Sequence, residues 1–324
     1  MAAVAQSPSR FAGIDKPVLI AFCFIIVLLL AGSLYDPNFL SLTYLLQQLQ
    51  VASFLGIIAS GVMLVILLGH IDLSIPWVVT VGGMMATASA GWWGDTGVAI
   101  AVPFGVLCGL VFGLVNGFGV AFLRIPSMIF TLGMNAVAQG LMVLKTGGFA
   151  PLEHATDTMH FIAVERSIWQ IPNALFVWLA VGLVVVFILR RTPLGRYIYA
   201  IGNRERATYL SGVNTRAVLI ACFAISGMCS ALAGVMLAGY SMKAYQAMGD
   251  PYLLPAIAAV VLGGTNILGG RGRYLGTVAG VILIVLLQSI LSVMQMPEAY
   301  RQVIYGVVII TMLLVYGRGA KVQS

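Results

Sequence analysis

Charged residues are so sparse in this chain that they act as punctuation. Of 324 residues only 8% are Asp, Glu, Lys or Arg, and 60% are hydrophobic; an ordinary soluble domain carries about 25% charged residues. Between the charges lie ten charge-free stretches: 17–35, 37–69, 73–94, 96–123, 125–144, 167–189, 217–242, 251–270, 274–297 and 302–317. A helix that crosses a bilayer needs about 20 apolar residues, so each stretch has room for one crossing, the last only barely. The strand alternation of a membrane barrel is absent. The expected fold is one all-α polytopic membrane domain over residues 1–324, with about ten transmembrane helices, some of them discontinuous. Disorder, coiled coil and a water-soluble globule are excluded. The first stretch is longer than a signal-peptide core and no small-residue cleavage site follows it, so it reads as a retained span.

The sign of the punctuation sets the topology. With both termini cytoplasmic, 13 of the 17 Lys and Arg fall on the inner side and only Lys145, Arg166, Lys243 and Arg301 on the outer. That is a positive-inside bias, and it accounts for the net charge of +7 without nucleic acid. Two polar segments stand out. Residues 147–166 form the longest outer loop, and residues 190–216, with six Arg and one Glu, the longest inner loop. Tyr197, Tyr199, Leu210 and Val213 among those charges suit a short amphipathic element that lies on the membrane or docks a partner.

Two glycine-containing clusters interrupt the apolar runs. One is Gly69-His70-Ile71-Asp72-Leu73-Ser74-Ile75-Pro76; the other runs from Gly263-Gly264 through Gly269-Gly270 to Arg273. Broken helices at membrane depth are tolerated where protein shields them or where they line a cavity, and paired breaks can mark a transport path. Within the first, Asp72 is expected to cap the next half-span or to contact substrate, because a carboxylate in hydrocarbon needs a partner. Two polar stripes are candidates for a path taken by a neutral, hydroxyl-rich solute. Asn135 and Gln139 are spaced i, i+4, and Gln288, Ser292 and Gln295 i, i+4, i+7, each on one helical face. Packing between helices is the competing role.

Other chemistry is missing. None of the four lysines follows a glycine, so there is no Walker A loop. His70 and Ser74 alone do not make a protease site. His154, Asp157 and His160 are spaced i, i+3, i+6 in the outer loop; they are expected to be solvated, not metal-bound. Cys23, Cys108, Cys222 and Cys229 lie inside apolar runs without metal-ligand spacing. No catalytic residue and no metal ligand is assigned.

The inner loop and the second cluster carry a resemblance. Arg191-Thr-Pro-Leu-Gly-Arg-Tyr-Ile-Tyr-Ala-Ile-Gly202, Glu205-Arg-Ala-Thr-Tyr-Leu-Ser-Gly-Val-Asn214, Ala256-Ile-Ala-Ala-Val-Val-Leu-Gly-Gly-Thr-Asn-Ile-Leu-Gly-Gly-Arg-Gly-Arg273 and Ile71-Asp72-Leu73-Ser74 resemble, in order and nearly end to end, the membrane permease subunits of bacterial ribose-type sugar ABC importers. Where that family commonly has a glycine, an acidic pair and an arginine, this chain has His70, Leu254-Pro255 and Gln139; the related autoinducer-2 permeases vary at the same places.

The resemblance implies a permease for a small sugar of the pentose or hexose class, with a sugar-like signal such as autoinducer-2, or a polyol, as the alternative. It implies that Arg196, Tyr199, Gly202, Glu205, Arg206, Ser211 and Gly212 belong to the region that couples to the ATPase. The implied partners are a cytoplasmic ABC ATPase, which would bind ATP and Mg in place of this chain, a periplasmic sugar-binding protein and a second permease chain. The implied location is the bacterial inner membrane. An ion-coupled secondary transporter is the other class consistent with the residues, with Asp72 as its one candidate coupling group.

Overall fold

The structure is a computed structural model that describes residues 16–310, apart from 36, 148–153, 298, 305, 308 and 309. The termini and most of the tenth stretch lie outside the described residues, as do Glu153 and Glu298. Among the described residues the chain is helical: α1 Lys16–Tyr35, α2 Leu42–Leu67, α3 Ile75–Phe122, α4 Ser127–Thr146, α5 Asp157–Ala163, α6 Asn173–Arg191, α7 Pro193–Leu210, α8 Thr215–Ser241, α9 Leu253–Leu262 and α10 Tyr274–Val293. Six of these, α2, α3, α4, α6, α8 and α10, are long and apolar enough to cross a membrane.

α3 accommodates two of the sequence stretches. Its 48 residues would extend ~72 Å as one rod, more than twice the ~30 Å hydrocarbon core. Gly94, at φ 55° and ψ −132°, breaks the rod in a conformation open chiefly to glycine. The two limbs, 75–93 and 95–122, then fold back on each other. Ser89 Oγ donates to Gly97 O (3.0 Å) and Asn116 Nδ2 to Ser74 Oγ (2.7 Å), while Gly105 packs on Gly82 and Ala86. These pairings define an antiparallel hairpin that turns beside Asp95.

α8 fills the groove of this hairpin through small residues. Gly82 meets Ala231 and Gly234 meets Val79 on the first limb; Gly109 meets Gly227 and Gly113 meets Phe223 on the second. Without a hydrophobic drive between helices in lipid, such close backbone approach is how membrane helices associate. α2 stands at the centre and is buried from Ala52 to Leu67. It packs on α8, α10, α6 and α9, which is why it is apolar all round.

The stretch 251–270 departs from the expectation of a full crossing. Its helix, α9, has 10 residues, ~15 Å. The segment before it is anchored on the first limb of α3, where Gly249 N donates to Thr80 Oγ1 (3.3 Å) and Met248 lies against Gly83. Pro251, the glycines from Gly263 onward and the demand for a turn at Gly264, with φ 87°, leave no room for a longer helix. α10 returns antiparallel to α9, Gly276 against Gly263 and Gly280 against Ala259.

The polar segments sort to two ends. At one end α5, within 147–166, lies across α2 and α8: Gln50 Nε2 donates to Ala163 O (2.8 Å) and His160 Nδ1 is 3.2 Å from Gly239 O. His154 pairs with Lys243 as an isolated bridge. At the other end are both helix breaks, Arg124 and the inner loop, which forms the amphipathic helix α7 with Ile198 and Ile201 buried.

A candidate coupling and translocation site

The first break, 68–74, is a non-helical run between α2 and α3 that turns at Leu68 and Gly69. Two of its N–H groups, and one from the first turn of α3, end on one face of α4: Ile71 N donates to Ser127 Oγ (3.3 Å), Leu73 N to Thr131 Oγ1 (2.9 Å) and, in α3, Trp77 N to Asn135 Oδ1 (3.3 Å). A backbone without ladder or helix partners costs several kcal/mol per group in lipid, and this i, i+4, i+8 row of side chains relieves that cost. Asp72 is buried and held by neutral donors. Ser74 N (3.0 Å) and Ser74 Oγ (2.6 Å) donate to Oδ1, and Ser226 Oγ (3.2 Å) to Oδ2. Asn116 closes the cluster on Ser74; its Oδ1 has no partner. Asp72 thereby joins Ser74, the residue that precedes α3, to α8, and its one backbone donor is Ser74 N. Ser74 faces Asp72 and Asn116, whereas the His70 ring lies by Phe223, 6.3 Å between centroids.

The second break, 263–273, is a closed loop. Asn266 N donates to Arg271 O (2.8 Å) and Gly269 N to Asn266 O (2.9 Å), with Gly264, Gly269 and Gly270 at positive φ. Gly263 belongs to the α9–α10 contact described above. The two breaks touch. Gly270 N donates to Leu67 O (2.9 Å), and a Cβ on Gly269 would come within 2.7 Å of Gly69 N.

α7 sits on this junction. Tyr199 OH donates to Gly272 O (2.9 Å) and Asn203 Nδ2 approaches Gly270 O (3.4 Å). Gly202 is packed so tightly that any Cβ would overlap Leu67 O and Gly270 N. The helix is interrupted at Arg204 (φ −155°, ψ 94°). Beyond it, Glu205 and Arg206 line a cleft of ≈ 630 Å³ together with His70, Arg124, Tyr209 and Arg216. Arg216 lies over the Phe122 ring, 5.1 Å from its centroid. Arg196 is exposed. Ser211 and Gly212, with φ 85° at the latter, end the helix through Gly212 N to Tyr209 O (3.0 Å).

The two polar stripes are not brought together. α4 packs on α3, and α10 on α9, α1 and α2. Asn135 is engaged by Trp77 N, Gln139 is exposed, Gln288 is half-buried and Ser292 exposed. Gln295 is a correction: α10 ends at Val293 and Gln295 has φ 56°, so it does not share a helical face with Gln288 and Ser292. No group of three or more His, Cys, Asp or Glu with metal-holding geometry occurs among the described residues. Sequence reading passed over Ser127, Thr131, Asn116, Ser226 and Asn203. A signal for the first two was present, since Ser127, Thr131, Asn135 and Gln139 recur every four residues.

Six helices long and apolar enough to cross a membrane, two helix breaks that touch, and a basic amphipathic helix seated on them define a multi-pass membrane protein. Residues 44–313 match the family model described as "Branched-chain amino acid transport system / permease component". The ribose import permease protein RbsC of Haemophilus influenzae is 33% identical over 296 residues, covering 91% of each chain. The D-allose transport system permease protein AlsC of Escherichia coli is 31% identical over 89% of this chain and 88% of its own. The autoinducer 2 import system permease protein LsrC of Yersinia pseudotuberculosis is 32% identical over 87% of this chain and 80% of its own. No solved structure matches. The chain belongs to this permease family, on its ribose-type sugar ABC importer branch.

Proposed function

We propose that the chain forms the translocation path of an ATP-driven importer for a small sugar of the pentose or hexose class, or a sugar-like signal such as autoinducer-2. A cytoplasmic ABC ATPase docks on α7, a periplasmic binding protein delivers the solute, and a second permease chain completes the path in the bacterial inner membrane. ATP and Mg belong to the ATPase. The observation that carries this reading is the seating of the arginine-rich α7 directly on both helix breaks. A helix so placed transmits a partner's movement to the membrane interior, where a solvated loop that only set orientation would not. The allose and autoinducer-2 relatives support the width of the substrate class.

The test is reconstitution. Proteoliposomes that hold the permease and its ATPase, with binding protein outside and ATP inside, are offered labelled D-ribose, D-allose or autoinducer-2. Uptake that needs ATP and the binding protein is expected. Uptake driven by a proton or sodium gradient without ATP would replace this reading with an ion-coupled transporter.

A further inference from the structure

The coupling helix reaches α4 through an unbroken series of short contacts. Gly202 abuts Leu67 O and Gly270 N. Gly270 N is bonded to Leu67 O, and Tyr199 and Asn203 hold the carbonyls of Gly272 and Gly270. Leu67 is the last residue of α2. The chain that leaves it is the first break, whose Ile71 and Leu73 N–H groups end on Ser127 and Thr131; Trp77 N, in the first turn of α3, ends on Asn135. Backbone lies on backbone at the central link, where no long side chain can bend to absorb a shift, and close-packed contacts of this kind change by discrete steps. The other way out of α7 is softer. It leads through Ser211–Asn214 into α8, and Gly212 there has positive φ and no atom near its missing Cβ.

We propose that displacement of α7 passes through the Gly202–Leu67–Gly270 junction into the first break and from there, through the N–H row on Thr131 and its neighbours, into α4. Tyr199, Gly202 and Thr131 are positioning residues in this route. The proposal rests on the reading of α7 as the helix on which the ATPase docks.

The experiment uses the complete transporter in proteoliposomes, with D-ribose, D-allose and autoinducer-2 as the probes, and records uptake and ATP hydrolysis together. The variants are Tyr199→Phe, which loses the bond to Gly272; Thr131→Val, which keeps the shape but not the acceptor; and Gly202→Ala, which wedges the junction. Thr131→Val, on α4 and away from the docking helix, is expected to copurify with the ATPase and to hydrolyse ATP within about twofold of wild type; for Tyr199→Phe and Gly202→Ala, which lie on the docking helix, hydrolysis and uptake are both counted per copurified complex and only their ratio is read. Solute moved per ATP is expected to fall about tenfold, and the solute-loaded binding protein to lose its effect on hydrolysis. Tyr199→Phe combined with Thr131→Val is expected to be no worse than the poorer single variant, as links in one series require. A merely structural role would lower the amount of transporter and leave the ratio unchanged. If Tyr199→Phe and Thr131→Val both move solute per ATP within twofold of wild type, the route is wrong, whatever Gly202→Ala does to folding. If wild type itself shows no ATP-dependent uptake, the functional reading fails and takes this proposal with it.

Discussion

Asp72 and Gly212 show how two residues of similar sequence prominence differ once their surroundings are known. Asp72 satisfies three buried donors at the start of α3. Asp72→Asn keeps a carbonyl oxygen for Ser74 and offers Ser226 an N–H, so it should be mild. Asp72→Leu strands the Ser74 and Ser226 donors at about 1–3 kcal/mol per buried group. The expected outcome is a marked loss of thermal stability in detergent for the leucine variant alone; equal unfolding temperatures would remove the structural role assigned to Asp72. Gly212 has φ 85° but open space around it. Gly212→Ala should therefore cost only the ~1 kcal/mol of left-handed backbone and leave a well-expressed protein. Glu205 is exposed on the cleft side of α7. Glu205→Lys should insert normally and lose ATP-driven uptake, read in vesicles; full uptake would detach this residue from coupling.

Among the elements, α4 is the one whose role changed most between sequence and structure. Asn135 and Gln139 share a face, but Asn135 spends its oxygen on Trp77 N while Gln139 is exposed. In a background without the native cysteines, Gln139→Cys should react with a small water-soluble thiol reagent faster than Asn135→Cys. The reverse order would place solvent on the break side of α4. Thr131→Val should speed amide exchange at Leu73 with little effect at Ala59, inside α2, since only the former loses its acceptor. The i, i+4 spacing made one face of α4 legible. What the face bonds to was not, because the donors come from the first break and the first turn of α3, 56 to 58 residues away in sequence. On α10 the opposite happened: the spacing promised a face through Gln295, and the helix stopped at Val293.

At the scale of the molecule, the two ends assigned by charge are the two ends that the contacts collect. Arg124, Glu205, Arg206 and Arg216 meet at one cleft, and Lys243 meets His154 at the other end. In intact cells, Arg206→Cys should be shielded from an impermeant thiol reagent and Lys243→Cys labelled. Labelling of Arg206→Cys from outside would invert the orientation.

The membrane class, the helical state of the apolar runs, the position of both breaks and the amphipathic inner helix were all legible in the sequence alone. Each follows from local composition: an apolar run of sufficient length must be helical in lipid, and glycine clusters end it. Tertiary structure decided what local composition cannot carry. It folded two stretches into one hairpin at Gly94 and cut α9 to half a crossing. It set the two breaks against each other beneath Gly202, because small residues distant in sequence let backbones meet wherever their surfaces match.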